Sequence, residues 1–212
     1  MEENRRKRNA CLSKRVIKGL ESRNMEGYYC GTKKEALRKA LELIPEGSSL
    51  SWGGSMSIGE IGLKDAVCQG NYVIYDRDQY DDAKRRREMM LKAFDCDYFL
   101  SSSNAVTEDG VLINIDGAAN RVACMAYGPK NVLMIVGMNK VVKTEADAMS
   151  RARNEASPVN AQRFGIDTPC VKAGMCYDCK SPDCICCQIL TTRFSKIPKR
   201  IKVILVGEDL GF

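Results

Sequence analysis

The chain has 212 residues, 44% of them apolar and 28% charged, with a formal net charge of +6 and no histidine. That composition excludes a disordered chain, and no stretch approaches the ~20 apolar residues that cross a bilayer. The basic opening "MEENRRKRNACLSKR" has no apolar core behind it, so a cytoplasmic location is expected, with the eleven cysteines reduced or metal-bound rather than paired as disulfides.

Residues 3–26 are polar and helix-compatible, with a narrow apolar face at Leu12, Val16, Ile17 and Leu20. They read as a helical arm that leans on the domain or on a second copy, which leaves a homodimer open. "GYYC" (27–30) is a short strand. Thr32, with Glu35 three residues on, begins a capping box, and Ala36, Leu37, Ala40, Leu41 and Ile44 then recur at helical spacing until Pro45 and Gly47. "SSLSW" (48–52) is a strand closed by Gly53-Gly54, and a helical stretch follows from about Ser55. "YVIY" (72–75) is a strand, and "DDAKRRREMMLKAF" (81–94) is a helix with Asp81 and Asp82 at its positive end. "DYFL" (97–100), "VLINI" (111–115), "NVLMIVG" (131–137) and "IKVILVG" (201–207) are strands, and Thr144 caps a helix to about Ala156. Several of these strands are unbroken apolar runs, the mark of burial on both faces. Strands alternating with helices then give an α/β fold with an open, mostly parallel sheet in three layers. No repeat or linker divides the chain, so residues 1–212 are expected to form a single domain, with arm 1–26 and a cysteine-rich surface insertion at 168–190.

The runs "RRKR" (5–8) and "KRRR" (84–87) lack interleaved aromatic residues. They read as solvated helix faces, and nucleic acid is not an expected partner. "SWGGSMSIGEIGL" (51–63) places two glycines where a strand meets a helix. Such a turn either brings a small anionic metabolite against the backbone or only meets a need for positive φ. It matches neither a Walker loop nor a dinucleotide fingerprint. Further on, Asp116, Asn120 and Arg121 follow a strand end, where they either serve the turn or face a pocket. Gly53, Gly54, Ser55, Asp116, Asn120 and Arg121 are the candidate ligand-binding residues. Glu60, the carboxylate nearest the glycine turn, is the candidate catalytic residue. Without histidine, any acid–base work falls to Glu, Asp, Lys, Cys or Tyr.

"WGGSMSIGEIGL", "NAVTEDGVLINIDGAANRVA", "YGPKNVLMIVGMNKVV", "ARNEASPVNAQRFG" and the closing "VILVGEDLGF" together resemble the LUD (lactate-utilisation) domain family, over nearly the whole chain from about residue 10. The resemblance implies a fold similar to the ribose-phosphate isomerase, glucosamine-phosphate deaminase and CoA-transferase superfamily. It also implies a link to bacterial lactate oxidation, with iron–sulfur and dehydrogenase proteins as partners. It supplies no established catalytic residues, and a carboxylate nucleophile is not carried over from fold cousins.

Six of the eleven cysteines lie in "CVKAGMCYDCKSPDCICC" (170–187). A C-x2-C unit lets two thiolates grip one ion from a tight turn, and a second pair completes a tetrahedron. The short-spaced variant of the family resembles "TPC…GxCxDCxSPxxIC", which implies Cys170, Cys176, Cys179 and Cys186 as ligands and leaves Cys184 and Cys187 outside. The centre is an iron–sulfur cluster, favoured by the family's redox associations, or zinc, favoured by the isolation of one loop; a metal-free thiol loop is the remaining reading. Cys11, Cys30, Cys68, Cys96 and Cys124 read as core or surface filler. Two functions follow. One is a component of lactate or related redox metabolism with a four-cysteine metal site. The other is an enzyme of the CoA-transferase or sugar-phosphate-isomerase-like fold with a structural zinc.

Overall fold

A computed structural model describes residues 2–212. The helices are α1 (Glu2–Ser22), α2 (Lys33–Leu43), α3 (Met56–Glu60), α4 (Leu63–Gln69), α5 (Ala83–Lys92), α6 (Asn120–Ala126), α7 (Glu145–Arg151), α8 (Ser157–Ala161) and α9 (Pro169–Ala173). The strands are β1 (Glu26–Cys30), β2 (Ser49–Trp52), β3 (Val73–Ile74), β4 (Tyr98–Ser101), β5 (Ala105–Thr107), β6 (Leu112–Asp116), β7 (Asn131–Gly137), β8 (Val141–Val142), β9 (Gln188–Thr192) and β10 (Ile201–Val206).

Six strands form a parallel sheet in the order β1-β10-β7-β4-β2-β3. The central strands β7 and β10 are the apolar runs read from sequence, and their alternation splits the core in two. Leu133, Ile135, Ile204 and Val206 face α2, α3 and α4, where Ala36, Ala40, Ile58 and Leu63 meet them. Val132, Met134, Val136, Val203 and Leu205 face α1 and α6, against Val16, Leu20, Val122 and Met125. Each such side chain, fully buried, contributes roughly 1.5–3 kcal/mol. The result is the three-layer open α/β architecture expected.

A second sheet, β8-β5-β6-β9, was not legible in the sequence. The run "VLINI" belongs to it rather than to the parallel sheet, pairing antiparallel with β5 and with β9. β5 has only three residues, and β9 is largely exposed, so neither carries a buried-strand pattern. α6 likewise carries no start signal in the sequence; it follows a left-handed Ala119 at φ 65°.

α1 packs on its own domain. Val16 and Leu20 are fully buried, and Asn9 Nδ2 donates to Gly207 O at 3.0 Å. A Cβ on Gly110 would lie 2.5 Å from Gly19 C, so helix and turn meet backbone to backbone. At α2, the Thr32 hydroxyl accepts from Glu35 N at 3.2 Å, but the Glu35 carboxylate accepts from Gly31 N rather than closing the box. The reciprocal box forms instead at α7, between Thr144 and Asp147. Between α7 and α8 the backbone widens into a π turn over Ala152–Ala156, where Ser157 N–H reaches back five residues to Ala152 O.

Candidate functional site

All strands of the large sheet run the same way, so the segments leaving β2, β4 and β7 gather at one edge, where ligands collect in open α/β sheets. A cavity of about 250 Å³ lies there, and its walls come from the glycine turn, Ser102–Asn104, Asp116–Ala118, Lys140, α8 and Gly211–Phe212. The sequence candidates Gly54, Ser55, Asp116, Asn120 and Arg121 all line it.

Neither Gly53 nor Gly54 has positive φ, so the turn does not require glycine for that reason. Their roles are separate. A Cβ on Gly53 would sit 2.7 Å from Arg121 Cδ, so this glycine lets the arginine stem pack beneath the turn and does not itself line the cavity. A Cβ on Gly54 would meet nothing within 4 Å. Ser55 Oγ is buried and has no hydrogen-bond partner among the described residues.

Asp116 is occupied in local structure. Its Oδ2 accepts from Arg121 N and Val122 N, both at 3.0 Å, which caps the first turn of α6. Arg121 is fixed by Asn114 Oδ1 at 3.2 Å, Asn104 Oδ1 at 3.3 Å and the Ile115 carbonyl. Burial lowers its pKa, and Asp116, with Oδ2 at 3.8 Å from Nε, acts in the opposite direction. Arg163 donates to Gly54 O at 3.3 Å and Asn160 Oδ1 at 3.0 Å, and its guanidinium lies over the Phe212 ring.

Lys140 was not among the sequence candidates. It follows β7 and is 3% exposed, and Nζ donates to Ser57 Oγ at 3.1 Å and Ser102 Oγ at 3.2 Å. Burial, then the Arg151 and Arg121 charges, push its pKa down to about 7 against the pull of Glu60. The available signal was a lone lysine just past an unbroken apolar strand. Its meaning depends on Ser57 and Ser102, which lie 83 and 38 residues away in sequence.

Glu60 does not line the cavity. Its Oε1 accepts from Gly211 N at 3.1 Å, and its Oε2 lies 3.5 Å from Lys33 Nζ.

A second cavity, of about 100 Å³, is lined by Cys170, Cys176, Cys179 and Cys186, the four expected ligands, and also by Cys184. Cys187 is exposed and lies outside; its thiol donates to Cys184 O at 3.2 Å. Backbone N–H groups point at two of the sulfurs, from Asp178 to Cys176 Sγ and from Cys186 to Cys184 Sγ, both at 3.4 Å. The Ser181 backbone N–H, then its hydroxyl, lowers the Cys179 pKa, whereas burial pushes Cys184 up to about 11 and raises Cys186. Among the described residues no three Cys, Asp or Glu side chains converge on one ion-sized point; the thiols stand around the wall. Cys30, Cys96 and Cys124 are buried core residues, and Cys11 and Cys68 are exposed. The two cavities share Ile115, Ser157 and Ile185, so one layer of side chains separates them.

Among the described residues no helix is long and apolar enough to cross a membrane. The sequence profile of the LUD domain matches residues 13–206. A crystal structure of a DUF162-family protein from Deinococcus radiodurans is similar in fold, with a TM-score of 0.56 at 11% identity, over 93% of this chain and 98% of that one. No curated protein matches this chain in sequence.

Proposed function

This chain belongs to the LUD-domain family, and we propose that within it the protein is a redox-linked component of 2-hydroxy acid metabolism that binds a short carboxylate beside a cysteine-ligated metal centre. The observation that carries this reading is the shared wall of Ile115, Ser157 and Ile185 between a cationic cavity and a ring of thiols.

The first cavity suits a small anion. Arg77, Arg121, Lys140 and Arg163 line it, while its one acidic side chain, Asp116, is already bonded as a helix cap. The unpartnered Ser55 hydroxyl offers a further donor. At about 250 Å³ the space falls below the ~300–1,000 Å³ of pockets for drug-sized ligands, which favours a lactate-sized acid over a nucleotide. Glu60 stands outside the cavity, and this counts against an enzyme with a carboxylate nucleophile.

The second cavity suits a thiolate-bound centre by its donor chemistry. Cys170, Cys176, Cys179 and Cys186 would hold it, with Cys184 as a fifth thiol at hand, and N–H···S bonds of the kind present here stabilise thiolate charge. Zinc takes four sulfurs at ~2.3 Å from one point. Thiols spread around a 100 Å³ space better match an iron–sulfur cluster, ligated from its periphery. Such a cluster supplies one-electron exchange when bound. Within the chain, Arg153 places a cation beside Cys176, with Nη2 at 3.9 Å from Sγ. Iron–sulfur or dehydrogenase partners would meet the centre at the exposed Met175 and Tyr177 of the loop.

The test is anaerobic purification, iron and sulfide analysis, and titration with lactate while the optical spectrum is followed. Iron and acid-labile sulfide, with a spectrum that shifts on adding lactate, is the expected result. Protein with neither iron nor zinc, and six freely titrating thiols in the loop, would overturn the metal centre.

A further inference from the structure

We infer that Lys140 captures carbonyl compounds: its amine, held in the cavity by Ser57 and Ser102, condenses with the keto group of a short 2-oxo acid to form an imine. The inference rests on the carboxylate-binding reading and deepens it, since a 2-oxo acid is the oxidised counterpart of a 2-hydroxy acid.

The geometry is that of a reactive amine rather than a structural cation. A buried lysine that only stabilises the fold is ordinarily paired with a carboxylate. The Lys140 amine is instead held by two hydroxyls, and the acid that acts on it, Glu60, is engaged by Lys33 and the Gly211 N–H. Gly211 crosses close above; a Cβ there would lie 3.1 Å from Nζ. The charged groups acting on the amine are Arg151, Glu60 and Arg121, and with burial the balance leaves it near half-neutral at pH 7. A neutral amine has the lone pair that addition to a carbonyl requires.

The condensation balances without a further reagent. The lysine lone pair forms a C–N bond to the keto carbon, and the carbonyl oxygen takes a proton to give a carbinolamine. The nitrogen, having given one of its two protons to that oxygen, gives the other to the hydroxyl as the C–O bond breaks, leaving C=N and one water. No electron is transferred. Ser57 and Ser102 hydroxyls both donate and accept, so they can pass the proton between nitrogen and departing oxygen. Arg121 and Arg163 line the same cavity, and their positive charge would favour the carboxylate there while this occurs.

The experiment incubates the full-length protein with pyruvate and sodium cyanoborohydride, which reduces imines to stable secondary amines, and maps the modified peptides by mass spectrometry. One carboxyethyl group on Lys140 is expected, at about tenfold or more over any exposed lysine, whose amine stays charged at pH 7. The yield at Lys140 should be half-maximal near pH 7. Modification spread evenly over surface lysines, or none, would overturn the inference. Ligand-observed NMR with pyruvate separates the two readings. Binding without a Lys140 adduct removes the imine and leaves the carboxylate site standing, whereas no binding and no adduct removes both. A Lys140→Arg variant should yield no trapped adduct at position 140, and if it fails to fold, the wild-type peptide map still decides.

Discussion

The cationic cavity takes its walls from strand ends of the large sheet, whereas the cysteine cavity takes most of its own from one segment, 168–187, with a single short helix in it. In the first, several of the candidate side chains are held by neighbours that also serve the fold. Arg121 packs under Gly53 and binds Asn104 and Asn114; Asp116 caps α6; Lys140 follows a strand buried at every residue but its first. In the second, the segment buries little, and its sulfurs are organised by a few N–H···S bonds and by Arg153. One site is preorganised by the core. Under the proposed function the other becomes rigid on binding its metal, because metal binding by a loop is folding energy for that loop.

The strongest way to break this contrast is Cys176→Ser or Cys179→Ser. Metal content should fall nearly to zero, and residues 168–190 should become readily cleaved by protease, while the melting transition of the sheet barely moves. A core that melts with the loop would show that the two regions are one cooperative unit.

Gly53→Val probes the opposite side. Its side chain would displace the Arg121 stem, at a cost of about 1–3 kcal/mol for overpacking, read from the urea midpoint. Carboxylate affinity should drop by about tenfold as the guanidinium moves. Lost binding together with lost stability is the signature of a site built into the core; lost binding alone would contradict it.

A smaller effect is expected from pH. The Lys140 amine titrates near 7 in the folded chain and near its ordinary 10.5 when unfolded. Below pH 7 both states are protonated, and the cost of burying the charge is present in full. Between about 7 and 10.5 the unfolded chain holds the extra proton, so stability rises with pH, by up to ~1.4 kcal/mol per unit. Above that range the cost is gone. Relative to Lys140→Met, the wild type should therefore gain stability between pH 7 and 9, measured by paired urea titrations at each pH. A difference that stays flat would mean the amine is not buried as a base.

The subtlest comparison lies within the loop. Cys184 lines the cavity and Cys187 does not, although the spacing pattern set both aside. Cys184→Ser should leave a centre that loses iron faster on exposure to chelator, and Cys187→Ser should leave it unchanged. Equal effects would place Cys187 at the centre too.

How much of this was legible follows from how local each signal is. The apolar runs at 131–137 and 201–207 announce a buried parallel sheet, because continuous hydrophobicity is a property of the strand alone. The pair Gly53-Gly54 announces a strand-to-helix turn, and that turn does line a cavity. Its reason for glycine was not legible, since it lies in the stem of Arg121, 68 residues on. β5, β8 and β9 exist through pairing with β6 and with one another, and three residues of "AVT" carry no period to read. The setting of Lys140 is hidden in the sequence for the same reason, since only the folded sheet sets it between Ser57 and Ser102. The cysteine spacing puts six thiols in one segment, but that Cys184 lines the cavity and Cys187 does not required the path of the loop.

The π turn at Ala152–Ala156 has a consequence for how such a chain tolerates insertion and deletion. A π turn holds one residue more than an α turn would at the same place, and each residue along a helix rotates the next side chain by about 100°. Arg153, within the turn, faces the thiols, while Ser157, just beyond it, stands in the wall common to both cavities. Deleting one residue here would restore α-helical phase and swing Ser157, Asn160 and Arg163 round the axis together, with no change to their identities. The two cavities therefore depend on a count of residues as well as on the residues themselves, and a relative with every side chain in place but one position fewer in this helix would present a different pocket.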